Sequence, residues 1–265
     1  EGSHEIRGKK LGIIGYGSIG SQLSILAEAL GMRVYYHDIA EKLSLGNAKK
    51  VPLEELLRIA DIVSIHVDGR GSNRDFIGDR EFAAMKDGVV FLNLSRGYVV
   101  DVEALARNLR KGKVRGAAVD VFPEEPRSNK EPFVSPLQGI RNVILTPHIG
   151  GSTEEAQQNI GVFVAARILR FLDSGATSSS VNFPVLQASP TREMHRFAHL
   201  HENIPGMMAK INDLFAQQGV NIVGQHLQTR GHLGYAVIDV GEGCDRSILG
   251  LLGKIPHTIR ARLVF

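Results

Sequence analysis

The feature that most limits how this chain can fold is Gly15-Tyr16-Gly17-Ser18-Ile19-Gly20. It follows an apolar run, Leu11–Ile14, and opens a stretch of helical periodicity, Ser18–Leu30, with Ile19, Leu23, Leu26 and Leu30 on one stripe. A lone Gly-x-Gly-x-x-Gly is often just a turn, but between a strand and a helix it acquires a physical meaning. Gly15 permits the tight turn, Gly17 lets backbone approach a pyrophosphate, and Gly20 lets helix and strand pack closely. The N–H groups of the first helical turn, from Ser18 and Ile19 onward, then face the phosphates. Asp38 stands at the end of the next strand. There a carboxylate accepts hydrogen bonds from ribose hydroxyls and repels a 2′-phosphate, so the pattern favours NAD over NADP.

The first two-thirds of the chain repeats this strand–helix alternation. Further apolar runs are Arg33–Tyr36, Ile62–His66, Val89–Leu92, Ala117–Val121 and Val143–Leu145. Pro52 starts a short helix with Leu53, Leu56, Leu57 and Ala60 inward, Asp101 caps Val102–Leu109, and Ser152–Leu172 reads as one long helix. Near-continuous apolar strands joined by helices predict an α/β fold, a Rossmann-type doubly wound parallel sheet, over residues 1–176. Residues 177–191 are small, polar and proline-bearing, as a linker would be. From 192 to 265 the order becomes β-α-β-β-α-β, a small α+β domain with helices on one side of an antiparallel sheet. Its strands are Met194–Leu200, Ile222–Gln228, Tyr235–Val240 and Thr258–Val264. Its helices are Gly206–Gln217, with Met207, Ile211 and Leu214 inward, and Arg246–Leu252. In the last strand Ile259, Ala261 and Leu263 alternate with Thr258, Arg260 and Arg262, so one face is expected to be wet.

Composition removes several function classes. The net charge is +3 and the basic residues are dispersed, so no nucleic-acid stripe is expected. Cys244 is the single cysteine, which excludes an internal disulfide framework and a cysteine-cluster zinc site. His195, His199 and His201 share a strand face, yet no carboxylate or cysteine completes a metal site at sensible spacing, so no metal is expected. The most apolar long stretch, Ile160–Leu172, carries Arg167 and Arg170 and is well short of the ~20 residues of a membrane span. With no signal peptide visible, a cytoplasmic location is expected. The chain opens at Glu1 and runs almost at once into a strand, as if beginning in mid-protein.

Three segments after later strands carry chemistry: Asn93-Leu94-Ser95-Arg96-Gly97, Val121-Phe122-Pro123-Glu124-Glu125-Pro126 and Thr146-Pro147-His148-Ile149-Gly150-Gly151. Strand C-termini are where open α/β sheets bind ligands. Reduction of a keto acid needs a cation for the carboxylate, a proton donor for the carbonyl oxygen, and a group that tunes the donor. Arg96, His148 and Glu125 are of the right types. Residues Gly8 to about Asn182, with these three segments, closely resemble the NAD domain of the D-isomer-specific 2-hydroxyacid dehydrogenases. The resemblance implies Arg96 binding substrate carboxylate and carbonyl, His148 as general acid/base, and Glu125 hydrogen-bonded to His148. It also implies cofactor contacts at His66, Val67, Asp120, Gly150 and Gly151, with Asp120 near the nicotinamide carboxamide.

The C-terminal segment, with His201-Glu202-Asn203-Ile204-Pro205-Gly206 and Gly219-Val220-Asn221-Ile222, resembles an ACT domain, a small module that binds amino-acid effectors. The combination resembles the branch of the family that oxidises a phosphorylated 2-hydroxy acid, 3-phosphoglycerate, at the start of serine synthesis. It implies L-serine as effector, held by His201, Asn203 and Asn221 across a homo-oligomer built through the ACT-like and NAD domains. Edge-to-edge pairing of the small sheets would then cover Tyr235–Val240 or its neighbours. Hydroxypyruvate or glyoxylate reduction is the alternative enzyme reading, and an NAD-sensing corepressor the non-enzymatic one. The chain departs from the family in lacking about a hundred residues of substrate lobe upstream. It departs again in Asp68 and Asn73, which flank a Gly69-Arg70-Gly71 loop after His66-Val67.

Overall fold

The computed structural model describes residues 3–128, 130–189, 194–241, 244–245 and 247–265, and the chain divides into two compact units, Glu1–Thr153 and Glu154–Phe265. In chain order the first unit comprises β1 (Lys10–Ile14), α1 (Ser18–Ala29), β2 (Arg33–His37), β3 (Lys49–Lys50), α2 (Leu53–Ile59), β4 (Ile62–Ile65), α3 (Asp79–Ala84), β5 (Val89–Asn93), α4 (Val102–Arg110), β6 (Val114–Val119) and β7 (Val143–Leu145). Its sheet is parallel throughout, in the order β3-β2-β1-β4-β5-β6-β7. This is the doubly wound Rossmann-type arrangement. Strand order reverses between β1 and β4, which opens a crevice at their C-terminal ends.

Each sheet face has its own core. Leu11, Ile13, Val34 and Tyr36 pack with Ala27 of α1 on one side, while Ile14, Val63, Ile65 and Phe91 pack with α2, α3 and α4 on the other. Asp101 caps α4 as expected, its Oδ1 accepting from the N–H groups of Glu103 and Ala104. The face of α1 is different from that expected. Gly20, Ser24 and Ala27 are buried, whereas Ile19, Leu26 and Leu30 are 66%, 63% and 60% exposed. The helix approaches the sheet so closely that only small side chains fit between, and a methyl group on Gly20 would overlap the carbonyl of Gly15.

The second unit comprises α5 (Glu154–Ser174), β8 (His195–Glu202), α6 (Met207–Gln217), β9 (Ile222–Arg230), β10 (Leu233–Val240), α7 (Ile248–Leu252) and β11 (Thr258–Leu263). The antiparallel sheet runs β11-β8-β10-β9. On one face Phe197, Ala236, Ile238 and Val240 meet Met207, Ile211 and Phe215 of α6 and Ile248 and Leu252 of α7. Residues 177–189 are not the free linker expected from their composition. Ala176, Leu186 and Ala188 are buried on the opposite sheet face against Ala198, Tyr235 and Val237. Thr177 closes this segment on itself, its Oγ1 donating to Pro184 O and accepting from Leu186 N. The expected boundaries at 190–192 and the expected helix start at Arg246 lie outside the described residues.

The division at 153/154, rather than at 176, has a physical cause. Arg196, 3% exposed, makes a bidentate pair with Asp239 (2.5 and 2.7 Å) and donates to the carbonyls of Ser174 and Ser189. Tyr235 Oη donates to Gly175 O and Arg262 to Phe171 O. The end of α5 is thereby fastened to the small sheet. Two expectations there are also corrected. Tyr235–Val240 is itself no edge, since β10 lies between β8 and β9, but its neighbour β9 is one, with β11 the other. Ile259 is 51% exposed because the β11–β8 register slips between Thr258 and Arg260.

Candidate active site

The crevice at the strand switch is built by glycine. Gly15 has φ +94°, and a side chain there would strike the carbonyl of His66 and the N–H of Val67, so the ends of β1 and β4 touch backbone to backbone. Space in front of Gly17 is open. Gly17 is the N-cap of α1 with no side-chain capping bond, and no acidic side chain occupies the first turn at Ser18 and Ile19, so its N–H groups are left for an anion. Asp38 is fixed at the rim, its Oδ2 accepting from Tyr16 N and its Oδ1 from Ala40 N, both at 2.8 Å. The residues present fit a dinucleotide: an open helix start for phosphates and a carboxylate at the end of the next strand, bonded to the glycine turn. His66 turns its Nε2 to Ser64 Oγ (2.8 Å), and burial pushes its pKa down.

The Asp68–Asn73 loop is tied internally. Arg70 pairs in bidentate fashion with Asp68 at 2.7 and 2.6 Å, and Asn73 bonds both the carbonyl and carboxylate of Asp68. Its hydrogen bond with Asp68, and more weakly the charge of Asp38, hold the Arg70 guanidinium above the usual arginine range. The Arg70 cation near Asp38 is therefore already paired within its own loop.

Further along the sheet edge, His148 Nδ1 and Glu125 Oε2 are 2.8 Å apart. Glu125 is aimed by its other oxygen, which accepts from Phe122 N at 2.9 Å. His148 has a left-handed backbone, φ 54°, rare for a histidine. Asp120 maintains that turn, its Oδ1 accepting from Thr146 Oγ1 (2.6 Å) and Ile149 N and its Oδ2 from Gly150 N. Burial raises the carboxyl pKa of Asp120, but the bonds from Thr146, Ile149 and Gly150 and the nearby His148 outweigh it and hold the group below the usual range. Asp120 thus commits its oxygens to the histidine loop, a role its position in sequence did not disclose. His148, Glu125, Thr146, Phe122 and Phe133 line a cavity of about 450 Å³.

Arg96 is exposed, its Nη1 donating to Ser95 O. Its turn is shaped by buried Asn93, whose Oδ1 accepts from Ser95 N and Oγ and whose Nδ2 donates to Arg96 O. Gly97 has no room for a methyl group because it lies on the Phe122 backbone. The arginine turn and the Phe122–Glu125 turn are therefore in direct contact. Asn93 and Thr146 were missed as supports. An asparagine two residues before a serine at a strand end is the turn signal that would have found the first.

In the small sheet, His201 is buried at the end of β8 with its Nδ1 3.2 Å from Nδ1 of His199. Asn203 follows it, exposed, with Nδ2 on Gly231 O. Asn221 precedes β9, whose start is opposite Val240, while the end of β9 is opposite Leu233 and hence beside Glu202. Within one chain, Asn221 therefore lies at the other end of the sheet from His201 and Asn203. Among the described residues no group of three or more His, Cys, Asp or Glu could hold a metal, and no helix is long and apolar enough to cross a membrane.

Comparison with known proteins places this geometry in context. The family profile "D-isomer specific 2-hydroxyacid dehydrogenase, NAD binding domain" matches residues 1–150, and an "AHAS small subunit-like ACT domain" profile matches 197–260. A D-3-phosphoglycerate dehydrogenase of Haemophilus influenzae is 52% identical over all 265 residues, and one of Escherichia coli K12 is 51% identical. The chain spans 65% of the length of each. Among solved structures, the NAD-complexed D-isomer specific 2-hydroxyacid dehydrogenase of Lactobacillus delbrueckii ssp. bulgaricus is 28% identical with TM-score 0.60, over 68% of this chain and 58% of that one. A glyoxylate reductase from Paecilomyes thermophila is 35% identical with TM-score 0.59, over 68% and 54%.

Proposed function

This chain belongs to the D-isomer-specific 2-hydroxyacid dehydrogenases, and from that premise we propose that the whole protein oxidises D-3-phosphoglycerate to 3-phosphohydroxypyruvate with NAD. This is the first step of serine synthesis, and L-serine inhibits it. The observation that carries the chemistry is the His148–Glu125 pair, beside an arginine turn locked to the same strand ends. The substrate is supported by relatives named for that activity, which match the small domain as well as the first unit.

NAD, when bound, supplies the hydride acceptor. Arg96 pairs with the substrate carboxylate and the oxygen on carbon 2, fixing the carbon that gives up hydride. With Nδ1–H of His148 donated to Glu125, Nε2 faces the substrate and takes the hydroxyl proton. The imidazolium so formed is stabilised by the Glu125 carboxylate, which is itself aimed by Phe122 N. In the reverse direction the same proton returns to the carbonyl oxygen.

In the regulatory unit, His201 and Asn203 of one copy and Asn221 of another would form the serine site. Asn203 lies beside the end of the edge strand β9, so an antiparallel β9–β9 pairing brings the Asn221 end of one copy to the Asn203 end of the next. A homo-oligomer and a cytoplasmic location are part of this reading. The test is NADH formation with D-3-phosphoglycerate, D-glycerate and D-lactate, with and without L-serine, and the reverse assay with glyoxylate and hydroxypyruvate. Preference for the phosphorylated acid, with millimolar serine inhibiting, is the expected result. Equal rates on unphosphorylated acids would overturn the substrate. NAD binding with no turnover of any acid would leave a cofactor-sensing protein.

A further inference from the structure

Beneath the proposed effector site, a chain of hydrogen bonds runs through the small domain, and the active-site chemistry does not use it. At its inner end Thr258 Oγ1 lies 3.2 Å from Leu252 O, the last carbonyl of α7. A carbonyl only accepts, so this contact and the two that His199 makes here are all hydrogen bonds together only when the hydroxyl donates to the carbonyl. His199 Nε2 is 2.9 Å from the same hydroxyl oxygen and 3.4 Å from the same carbonyl. Both of these now act as acceptors, so His199 carries its proton on Nε2. Burial, reinforced by the neighbouring His201, pushes the pKa of His199 down to about 4, so the ring is neutral and its Nδ1 is a bare lone pair. That lone pair is 3.2 Å from Nδ1 of His201. One of the two nitrogens must carry a proton for the contact to attract, and only His201 is free to supply it.

We infer that His199, held by Thr258 and Leu252 O, is a positioning residue that fixes His201 as the Nδ1–H tautomer and turns its Nε2 into an acceptor for the effector. The inference rests on the proposed effector site. It also specifies the chemistry of the ligand group at that nitrogen: a hydrogen-bond donor, ammonium or hydroxyl, while a carboxylate is turned away. Two observations bear on the ring. Among the described residues its Nε2 makes no hydrogen bond, and it is not one of the fully buried unpaired atoms, so a ligand can reach it. Its partner across β8–β10 is Gly234, where a methyl group would overlap Nε2, Cδ2 and Cε1, so glycine gives the imidazole the room to sit there.

The test is long-range ¹H–¹⁵N correlation spectroscopy at neutral pH on the whole protein labelled at histidine, first free and then titrated with L-serine. His201 should show a protonated Nδ1 and a pyridine-type Nε2, the reverse of a free histidine side chain's preference, and His199 the opposite assignment. Serine should move the His201 Nε2 resonance. A proton on His201 Nε2 overturns the inference, with or without serine binding. The Nδ1–H form with no response to serine supports the relay and removes the effector reading on which its ligand depends. His199→Asn, whose Oδ1 replaces the accepting Nδ1, should preserve the His201 tautomer and serine affinity. His199→Leu should release the tautomer and weaken serine binding at least tenfold. A folded His199→Leu protein with the tautomer unchanged also overturns the inference.

Discussion

His148 keeps a backbone conformation that a side chain with a Cβ normally avoids, and it does so because Asp120 binds both flanks of its turn. The cost of such a conformation is on the order of 1–3 kcal/mol, stored at the residue we propose as the acid/base. His148→Ala should lower turnover about 10²–10⁴-fold, the usual scale for a general acid/base, with NAD affinity nearly unchanged by fluorescence titration. Asp38→Ala should abolish a preference for NAD over NADP that we expect to be at least about tenfold, a ratio worth about 1.4 kcal/mol. Equal affinities in the unaltered protein would show that Asp38 does not read the ribose. His199 sets a pH window. Unfolded, it takes a proton near its ordinary 6.5; folded, only at about 4. Between those values the unfolded chain binds more protons, so stability is complete above about pH 6.5 and declines as pH falls toward 4. His201, also shifted down, adds in the same direction. Urea midpoints measured from pH 7.5 to 5 should fall, and His199→Asn should flatten the trend.

At the scale of elements, close backbone approach decides more than amphipathic stripes do. Gly97 on Phe122 holds the Arg96 turn and the Phe122–Glu125 turn together. Gly97→Ala must separate them, and it should cost about 1–3 kcal/mol in urea unfolding, as overpacking does. Substrate KM should rise through displaced Arg96. The same close approach explains which parts of the fold were legible. Strand runs, the α4 cap and the three loop segments were readable because each depends on its own residues. The stripe Ile19, Leu23, Leu26 and Leu30 misled because periodicity does not reveal how near a helix comes to its sheet, and here Gly20 and Ala27 set that distance. The two-residue strand Lys49–Lys50 has no apolar pattern to betray it, and α3 is too short to show a period. Ile259 fitted an alternation that a bulge then broke. Asp120 and Asn93 were visible as residues, but their work lies in bonds to segments distant in sequence or to a turn backbone.

For the molecule as a whole, residues 154–189 belong with the small sheet. The small and polar composition of residues 174–189 conceals three buried apolar contacts, and the Arg196–Asp239 pair that ties down both ends of that stretch joins residues 43 apart. A fragment 154–265 should therefore unfold cooperatively by circular dichroism. A fragment 192–265 should not, because it uncovers Tyr235 and Val237 and deprives buried Arg196 of two carbonyls. Equal cooperativity of the two would show the segment to be dispensable. The separation of Asn203 from Asn221 along the sheet has a consequence in mass action. A two-fold pairing that completes one effector site completes its twin at the same moment, and dissociation destroys both. Effector binding is then linked to association: serine should tighten the pair, and sensitivity to it should fade on dilution while the catalytic unit goes on working. The dose of serine needed to halve the rate would thus report how much of the protein is present.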